Sequence, residues 1–198
     1  FETLFGLIAC SGLRVSEALA LRNVDVDLKH GMFTVHQTKF AKSRQVPMHL
    51  STVEALRSYR CRRDLSGESA QEDAPFFVGT RGRRRGLPLG QRQVDRVFAK
   101  LRQQLGWCNR GAHHAPRIHD LRHTFASLLI QQNANVKYIQ QQLGHSSINI
   151  TLDVYSHLFE GDHRHQVQRL DDELVETSPR RLPNPENAHQ PDPQRAVS

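Results

Sequence analysis

The 198-residue sequence lacks the features typical of membrane and secreted proteins. No apolar run approaches the roughly 20 residues that span a bilayer, and no basic-then-apolar leader with a cleavage site is present. The three cysteines are far apart and odd in number, which fits neither a disulfide framework nor a zinc-ribbon spacing. We therefore expect a protein of the reducing cytoplasm. The cysteines are Cys10, Cys61 and Cys108.

The chain has the length of one domain with a tail, and no internal repeat is visible. It begins at Phe1, within a helical pattern, so we expect a further segment to precede it in a longer protein. From Ser178 onward the chain has five prolines and few large apolar residues, a composition typical of disorder. We expect one catalytic unit over residues 1–176 and a disordered tail over residues 177–198.

An excess of positive charge favours a polyanionic partner. Lys and Arg total 27 against 20 Asp and Glu, which gives a net charge of +7 and a pI near 9.8. Arginine is clustered in two stretches, and clustered arginine suits phosphate groups. The alternative for either cluster alone is a solvated surface that aids solubility. The clusters are Arg57, Arg60, Arg62 and Arg63, and then Arg81, Arg83, Arg84 and Arg85.

The apolar pattern predicts a mainly α protein with a small antiparallel β-hairpin, of the α+β class. The predicted strands are Met32–Val35 and Arg44–Pro47, joined by a basic tip over residues 37–43. Helical periodicity covers most of the remaining chain. The predicted helices cover residues 1–10, 51–63, 91–105, 118–131, 136–143, 149–159 and 162–176, and another starts near Arg14.

Two segments place basic side chains on helices. In IHDLRHTF, His119 and Arg122 are three residues apart and therefore share one helix face, where both can reach a single oxyanion. In GLRVSEAL, a turn presents Arg14 at the start of a helix, and Glu17 can brace its guanidinium one turn later. The plainer interpretations are an ordinary amphipathic helix and a surface ion pair.

Two further segments supply a proton donor and a nucleophile. A lysine at the mobile hairpin tip can enter a cleft and protonate a departing oxygen, and we favour Lys39 over Lys42. In LGHSS, Gly144 ends a helix and lets His145 project, while Tyr155 follows in DVYSHL. A phenol becomes a usable nucleophile only when positive groups lower the cost of its ionisation.

The ordered set resembles the catalytic domain of tyrosine recombinases, the phage integrase family, over roughly residues 1–160. This resemblance implies that Arg14 and Arg122 clamp the scissile phosphate and that Lys39 protonates the leaving 5′-hydroxyl. It implies that His119 and His145 support the phosphate and the proton transfers, and that Tyr155 forms a 3′-phosphotyrosyl bond. The implied reaction is site-specific recombination. It needs no metal, because two arginines supply positive charge to the phosphate oxygens, and no ATP, because the tyrosyl ester conserves the energy of the phosphodiester.

The resemblance also implies the partner and the setting of the reaction. The partner would be the double-stranded DNA of a recombination site, bound by a homotetramer in the synaptic complex and by a monomer when free. The location would be the bacterial cytoplasm, at the nucleoid. Relatives carry an N-terminal core-binding domain, and we expect it to be absent from this stretch of sequence.

Other interpretations use parts of the same segments. Residues 136–158 match a helix-turn-helix with Gly144 in the turn, which predicts a DNA-binding protein or an inactive relative without catalysis. A metal site is a second alternative, although the glutamate of an HExxH motif is absent. A metal-free tyrosyl topoisomerase would share the proposed chemistry. The histidines of the metal alternative are His113, His114, His119 and His123.

Overall fold

The computed structural model describes residues 1–36, 43–65, 71–80, 82–109, 111 and 114–159. Its described part is mostly helical with one small antiparallel sheet, which confirms the predicted fold class. No helix among these residues is both long and apolar enough to cross a bilayer. The helices are α1 (Glu2–Ser11), α2 (Val15–Ala20), α3 (Leu50–Leu65), α4 (Gln91–Gln104), α5 (Ile118–Gln131), α6 (Val136–Leu143) and α7 (Ile148–Tyr155).

The sheet has three strands in the order β1 (Val26–Asp27), β2 (Met32–His36) and β3 (Ser43–Pro47). Both pairings are antiparallel, and Phe33 stands opposite Val46 in the pairing of β2 with β3. Alternate side chains of β2 and β3 are buried, as a sheet packed on one face requires. The sequence analysis missed β1, because two residues are too few for an alternating pattern. The predicted tip, with Lys39 and Lys42, lies outside the described residues.

Two apolar clusters form the core. In the larger one, Leu4, Leu7 and Ile8 of α1 follow helical spacing and pack with the sheet, α3 and α4. The smaller cluster joins α5, α6 and α7. Helix α1 also packs on α5, so the two clusters are held against each other by these helices. The smaller cluster consists of Ala126, Ile130, Ile139, Leu143 and Tyr155.

One arginine of the first predicted cluster is part of the core. The Arg63 side chain is only 1% exposed, and its Nη1 donates to Asn23 Oδ1 and to the carbonyl of Phe76, both at 2.8 Å. A buried guanidinium needs such acceptors, because an unpaired buried charge is strongly destabilising. The expectation that Arg63 contacts phosphate is therefore wrong; the periodicity of α3 did not separate it from its exposed neighbours.

Gly12 allows α1 and α5 to approach each other closely. It ends α1 with φ 66°, and its amide donates to the carbonyl of Ile8 at 3.0 Å. A Cβ at this position would overlap the ring of Phe125 and touch Leu143. Left-handed backbone is strained for residues other than glycine. The turn before Arg14 therefore has both a conformational and a steric need for glycine.

Replacing Gly12 with Ala should lower the free energy of unfolding by about 2 kcal/mol or more, since strain and overpacking add. The matched control is Gly6→Ala. Gly6 lies within α1 and has nothing within 4 Å of an added Cβ, so this change should raise stability by about 0.5–1 kcal/mol. Urea denaturation of both variants measures the difference. Equal effects of the two substitutions would contradict the steric argument.

Candidate functional site

Helix α5 directs Arg122 into the interior. Its residue is 2% exposed, and its Nη1 and Nη2 donate to the carbonyls of Gly12 at 2.6 Å and Leu143 at 2.7 Å. Burial, with repulsion from Arg14, lowers the pKa of Arg122 to about 10. The guanidinium therefore stays charged at neutral pH. Its position is fixed by two backbone carbonyls, one at the end of α1 and one at the end of α6.

Arg14 lies at the start of α2 and remains partly open to solvent. Its side chain is 40% exposed, and its Nη1 contacts Glu17 Oε1 at 3.0 Å. The backbone amide of Arg14 donates to Glu17 Oε2 at 2.8 Å. The bracing that the three-residue spacing predicts is thus present. An arginine held in this way on one side keeps donors for an anion on the other.

Glu17 binds a second arginine that the sequence analysis did not single out. Arg44 of β3 donates to both Glu17 oxygens, at 3.1 Å and 2.9 Å, and its Nε donates to the carbonyl of Gln142 at 3.2 Å. Burial alone would raise the pKa of Glu17, but the hydrogen bonds and charge of Arg44, together with Arg14, lower it below its usual value. The carboxylate stays ionised and ties β3 to α2.

The cluster of three arginines and one carboxylate has an excess of positive charge. The guanidiniums of Arg14, Arg44 and Arg122 stand against the single carboxylate of Glu17, which leaves two positive charges. Such an excess suits a site for an anion, because the low dielectric near buried charges strengthens their attraction to it. Arg44 was missed because a charged residue in an alternating strand gives no signal of its tertiary partners.

His145 is held in one tautomer by its two partners. It follows Gly144, which ends α6 with φ 64°. Its Nε2 lies 3.1 Å from Arg122 Nη2, and its Nδ1 lies 2.9 Å from Thr151 Oγ1. Arginine only donates, so Nε2 accepts and Nδ1 carries the proton. Burial, with repulsion from Arg122 and Arg14, lowers the pKa of His145 to about 4, so the ring is neutral at neutral pH.

Tyr155 ends α7 and is 4% exposed. Its hydroxyl lies 2.8 Å from Nδ1 of His123. Burial raises the pKa of Tyr155, although the charge of Arg122 opposes this. The phenol is therefore protonated at neutral pH. From the sequence, His123 was considered only as a possible metal ligand. Because it lies 32 residues from Tyr155, the sequence does not indicate that the two side chains are in contact.

His119 completes the group from the exposed side of α5. Its ring meets the ring of His123 edge to face, with 4.8 Å between centroids. Burial, with repulsion from His123 and Arg122, lowers the pKa of His119. The structure thus brings five of the six predicted catalytic positions into one region, and the sixth, Lys39, lies outside the described residues. Within the described part of the chain, no three His, Cys, Asp or Glu side chains form a metal-binding group.

The chain is similar in sequence to known proteins. A sequence model of the phage integrase family matches residues 2–161. The putative integrase/recombinase y4rB of Sinorhizobium fredii is 42% identical over 128 residues, 64% of this chain and 39% of that protein. Tyrosine recombinase XerC of Neisseria meningitidis serogroup C is 37% identical over 181 residues, 91% of this chain and 53% of that protein. The chain spans about half the length of the XerC relatives.

Solved structures share the fold. The crystal structure of XerA recombinase is similar over 90% of this chain and 63% of that one, with 26% identity and a TM-score of 0.62. XerH site-specific recombinase, bound to palindromic difH substrate in a post-cleavage complex, is similar over 87% of this chain and 44% of that one. Its identity is 29% and its TM-score is 0.57.

The lowered pKa of His145 predicts an acid-sensitive contribution to stability. Between pH 6.5 and about pH 4 the folded chain binds fewer protons at this ring than the unfolded chain. The contribution is therefore complete above pH 6.5 and is lost as the pH falls towards 4. Across this range, urea denaturation should show a steeper loss of stability in wild type than in His145→Gln. Parallel curves would contradict the half-buried, neutral state of His145.

Proposed function

The chain belongs to the phage integrase family, and from that membership we propose that it cleaves and rejoins DNA strands as a site-specific recombinase. The observation that carries the proposal is a buried phenol, Tyr155, within the field of a buried arginine, Arg122. A second arginine, Arg14, is partly exposed to solvent and is bound to the carboxylate of Glu17. This combination fits nucleophilic attack on a phosphodiester.

In the proposed reaction, Arg14 and Arg122 bind the non-bridging oxygens of the scissile phosphate. A phosphoryl transfer enzyme mainly has to position the reactants and stabilise negative charge, and two guanidiniums supply both without a metal. Glu17 keeps Arg14 oriented, and Arg44 keeps Glu17 in place. The excess positive charge of the cluster supports this role.

Tyr155 is the proposed nucleophile and Lys39 the proposed general acid. Attack by the phenol oxygen forms a 3′-phosphotyrosyl ester, and the leaving 5′-oxygen takes its proton from Lys39. His119 and His145 assist at the phosphate. The ester conserves the energy of the broken bond, so rejoining to a new 5′-hydroxyl needs no ATP.

The proposed partner is the double-stranded DNA of a recombination site, in the bacterial cytoplasm at the nucleoid. The net charge of +7 supports a polyanionic partner. Exposed arginines at positions 83, 84 and 85 offer further phosphate contacts. We also propose one catalytic unit over residues 1–176 and a Pro-rich tail over residues 177–198.

Replacing Tyr155 with Phe should abolish a covalent protein–DNA adduct, because the only change is loss of the attacking oxygen. The probe is a pool of nicked duplexes with a randomised segment, labelled at the 5′ end of the nicked strand. Cleavage beside the nick releases a short strand that carries the 5′-hydroxyl. Because this strand diffuses away, the ester cannot be reversed and the covalent adduct accumulates. The complete protein is incubated with the pool in the presence of a chelator and without nucleotide, and adducts are separated on a denaturing gel.

The control for folding is Tyr138→Phe, which removes the same atom from an exposed tyrosine of α6. It should form adduct at the wild-type rate. An adduct retained by Tyr155→Phe would contradict the nucleophile assignment. A requirement for divalent metal would favour the metal alternative. DNA binding by wild type without any adduct would favour a binding protein or an inactive relative.

Substitution of Lys39 should slow cleavage of ordinary DNA by about 10²–10⁴-fold, the usual contribution of a general acid. A substrate with a 5′-bridging sulfur at the captured cleavage site has a leaving group that needs no proton, so it should restore the rate. Lys39→Ala and Lys42→Ala are compared by single-turnover cleavage of both substrates. Rescue of the Lys42 variant instead would reassign the acid.

We expect the protein to be a monomer when free and a homotetramer in the synaptic complex with DNA. Light scattering of the complete Tyr155→Phe protein should give the monomer mass alone. With the captured duplex it should give the mass of four subunits and two duplexes. A complex that stays at one subunit per duplex at all concentrations would contradict the tetramer.

A further inference from the structure

We propose that His123 is the group that accepts the proton of Tyr155 when the phenol attacks the phosphate, an inference that rests on the proposed function. His123 lies next to Arg122 in sequence, yet the two side chains do different things. Arg122 points to backbone carbonyls, whereas His123 points to the phenol oxygen. His123 is thus in direct contact with the Tyr155 oxygen, the atom that attacks the phosphate.

The geometry places His123 where a general base must stand. Its Nδ1 lies 2.8 Å from the Tyr155 hydroxyl, within the range at which a proton moves directly between two atoms. The ring centroids of the two residues are 5.7 Å apart and tilted by 60°. The contact spans 32 residues of chain, so it is a product of the packing of α7 on α5 rather than of local sequence.

Both members of the pair are held in place. Tyr155 belongs to the smaller apolar cluster and is almost fully buried. The ring of His123 packs edge to face against His119, and its backbone carbonyl accepts a hydrogen bond from Ser127 Oγ at 2.9 Å. Two side chains with little room to rotate keep the short contact at little entropic cost.

Two other possible acceptors near the site, His145 and Glu17, are already engaged. Nε2 of His145 accepts from Arg122, and its Nδ1 faces Thr151. Both carboxylate oxygens of Glu17 accept from arginines. Among the described residues, His123 is the side chain placed in hydrogen-bond contact with the phenol. Proton transfer to His145 or Glu17 would first require one of these hydrogen bonds to break.

The step balances without a further reactant. The Tyr155 O–H bond breaks, and its proton passes to Nδ1 of His123 as the phenol oxygen bonds to phosphorus. The bond from phosphorus to the 5′-oxygen breaks, and that oxygen takes a proton from the general acid. In the rejoining step a 5′-hydroxyl attacks the phosphotyrosine and gives its proton to the general acid, which cleavage has left deprotonated. The bond from phosphorus to the Tyr155 oxygen breaks, and the imidazolium of His123 returns the proton to that oxygen.

Positive charge near the pair favours ionisation of the phenol. Among the residues that the structure describes, the titratable and charged neighbours are His119 and Arg122 of α5 and His145 of the turn between α6 and α7. From α6, the residues packed against Tyr155 are apolar, Ile139 and Leu143. The positive charge of Arg122 attracts the phenolate that forms as Tyr155 gives up its proton.

The test compares His123→Asn with His123→Ala in the adduct assay with the complete protein. The Asn amide can keep a hydrogen bond near the Nδ1 position but cannot take up a proton. If His123 is the base, both variants should lose about 10²–10⁴-fold in the rate of adduct formation. The pH dependence of that rate should lose the limb that reports the acceptor. Added imidazole should restore part of the rate to His123→Ala.

The matched control is His49→Asn, since His49 is also a histidine whose Nδ1 faces a hydroxyl, that of Ser51 at 2.9 Å, but outside the site. It should react as wild type does. A 5′-bridging sulfur substrate should not rescue His123→Asn, because it removes only the need for the general acid.

Each remaining outcome overturns the inference in a recognisable way. If His123→Asn reacts at the wild-type rate with an unchanged pH profile, His123 only positions the phenol, and the proposed recombinase function stands. If the sulfur substrate rescues the variant, His123 acts on the leaving group instead. If wild type forms no adduct, the proposed function and this inference fail together.

Discussion

The buried guanidinium of Arg122 is the interaction on which the site depends. It binds the carbonyl at the end of α1 and the carbonyl at the end of α6, and it also contacts His145. Three chain segments far apart in sequence therefore meet at one charge. A buried charge is tolerated only when its donors are satisfied, so the helix ends must stay in place for the chain to fold around it. The fold and the candidate site share this requirement.

From this centre, the remaining polar groups form two linked sets. One runs from Arg14 through Glu17 to Arg44 and joins α2 to β3. The other runs from His119 through His123 to Tyr155 and joins α5 to α7. The first set has an excess of positive charge and is partly exposed to solvent at Arg14. The second set consists of the phenol and two histidines, of which His123 contacts its hydroxyl. The charge of Arg122 interacts with members of both sets, since it is repelled by Arg14, is attracted to Glu17 and opposes the rise in the pKa of Tyr155.

The helices and the ordered motifs could be predicted from the sequence, because both depend on the spacing of residues that are close together in the chain. Helices α5 and α6 have the predicted bounds, and the bracing of Arg14 by Glu17 follows from their three-residue separation. Contacts between residues that are far apart in the chain could not be predicted from local spacing. The bidentate pair of Arg44 with Glu17 spans 27 residues, and the contact of His123 with Tyr155 spans 32. Burial of Arg63 was missed for the same reason, since its acceptor Asn23 lies 40 residues away.

The acceptors of Arg122 at Gly12 and Leu143 are peptide oxygens, which every residue type provides. Substitution at position 143 by another apolar residue of suitable shape leaves the acceptor unchanged, while position 12 must keep a glycine only for steric and conformational reasons. The anchor of the central arginine thus depends on the path of the backbone more than on side-chain identity. Evolutionary drift of the surrounding residues can proceed while the charge stays in place, a form of mutational robustness.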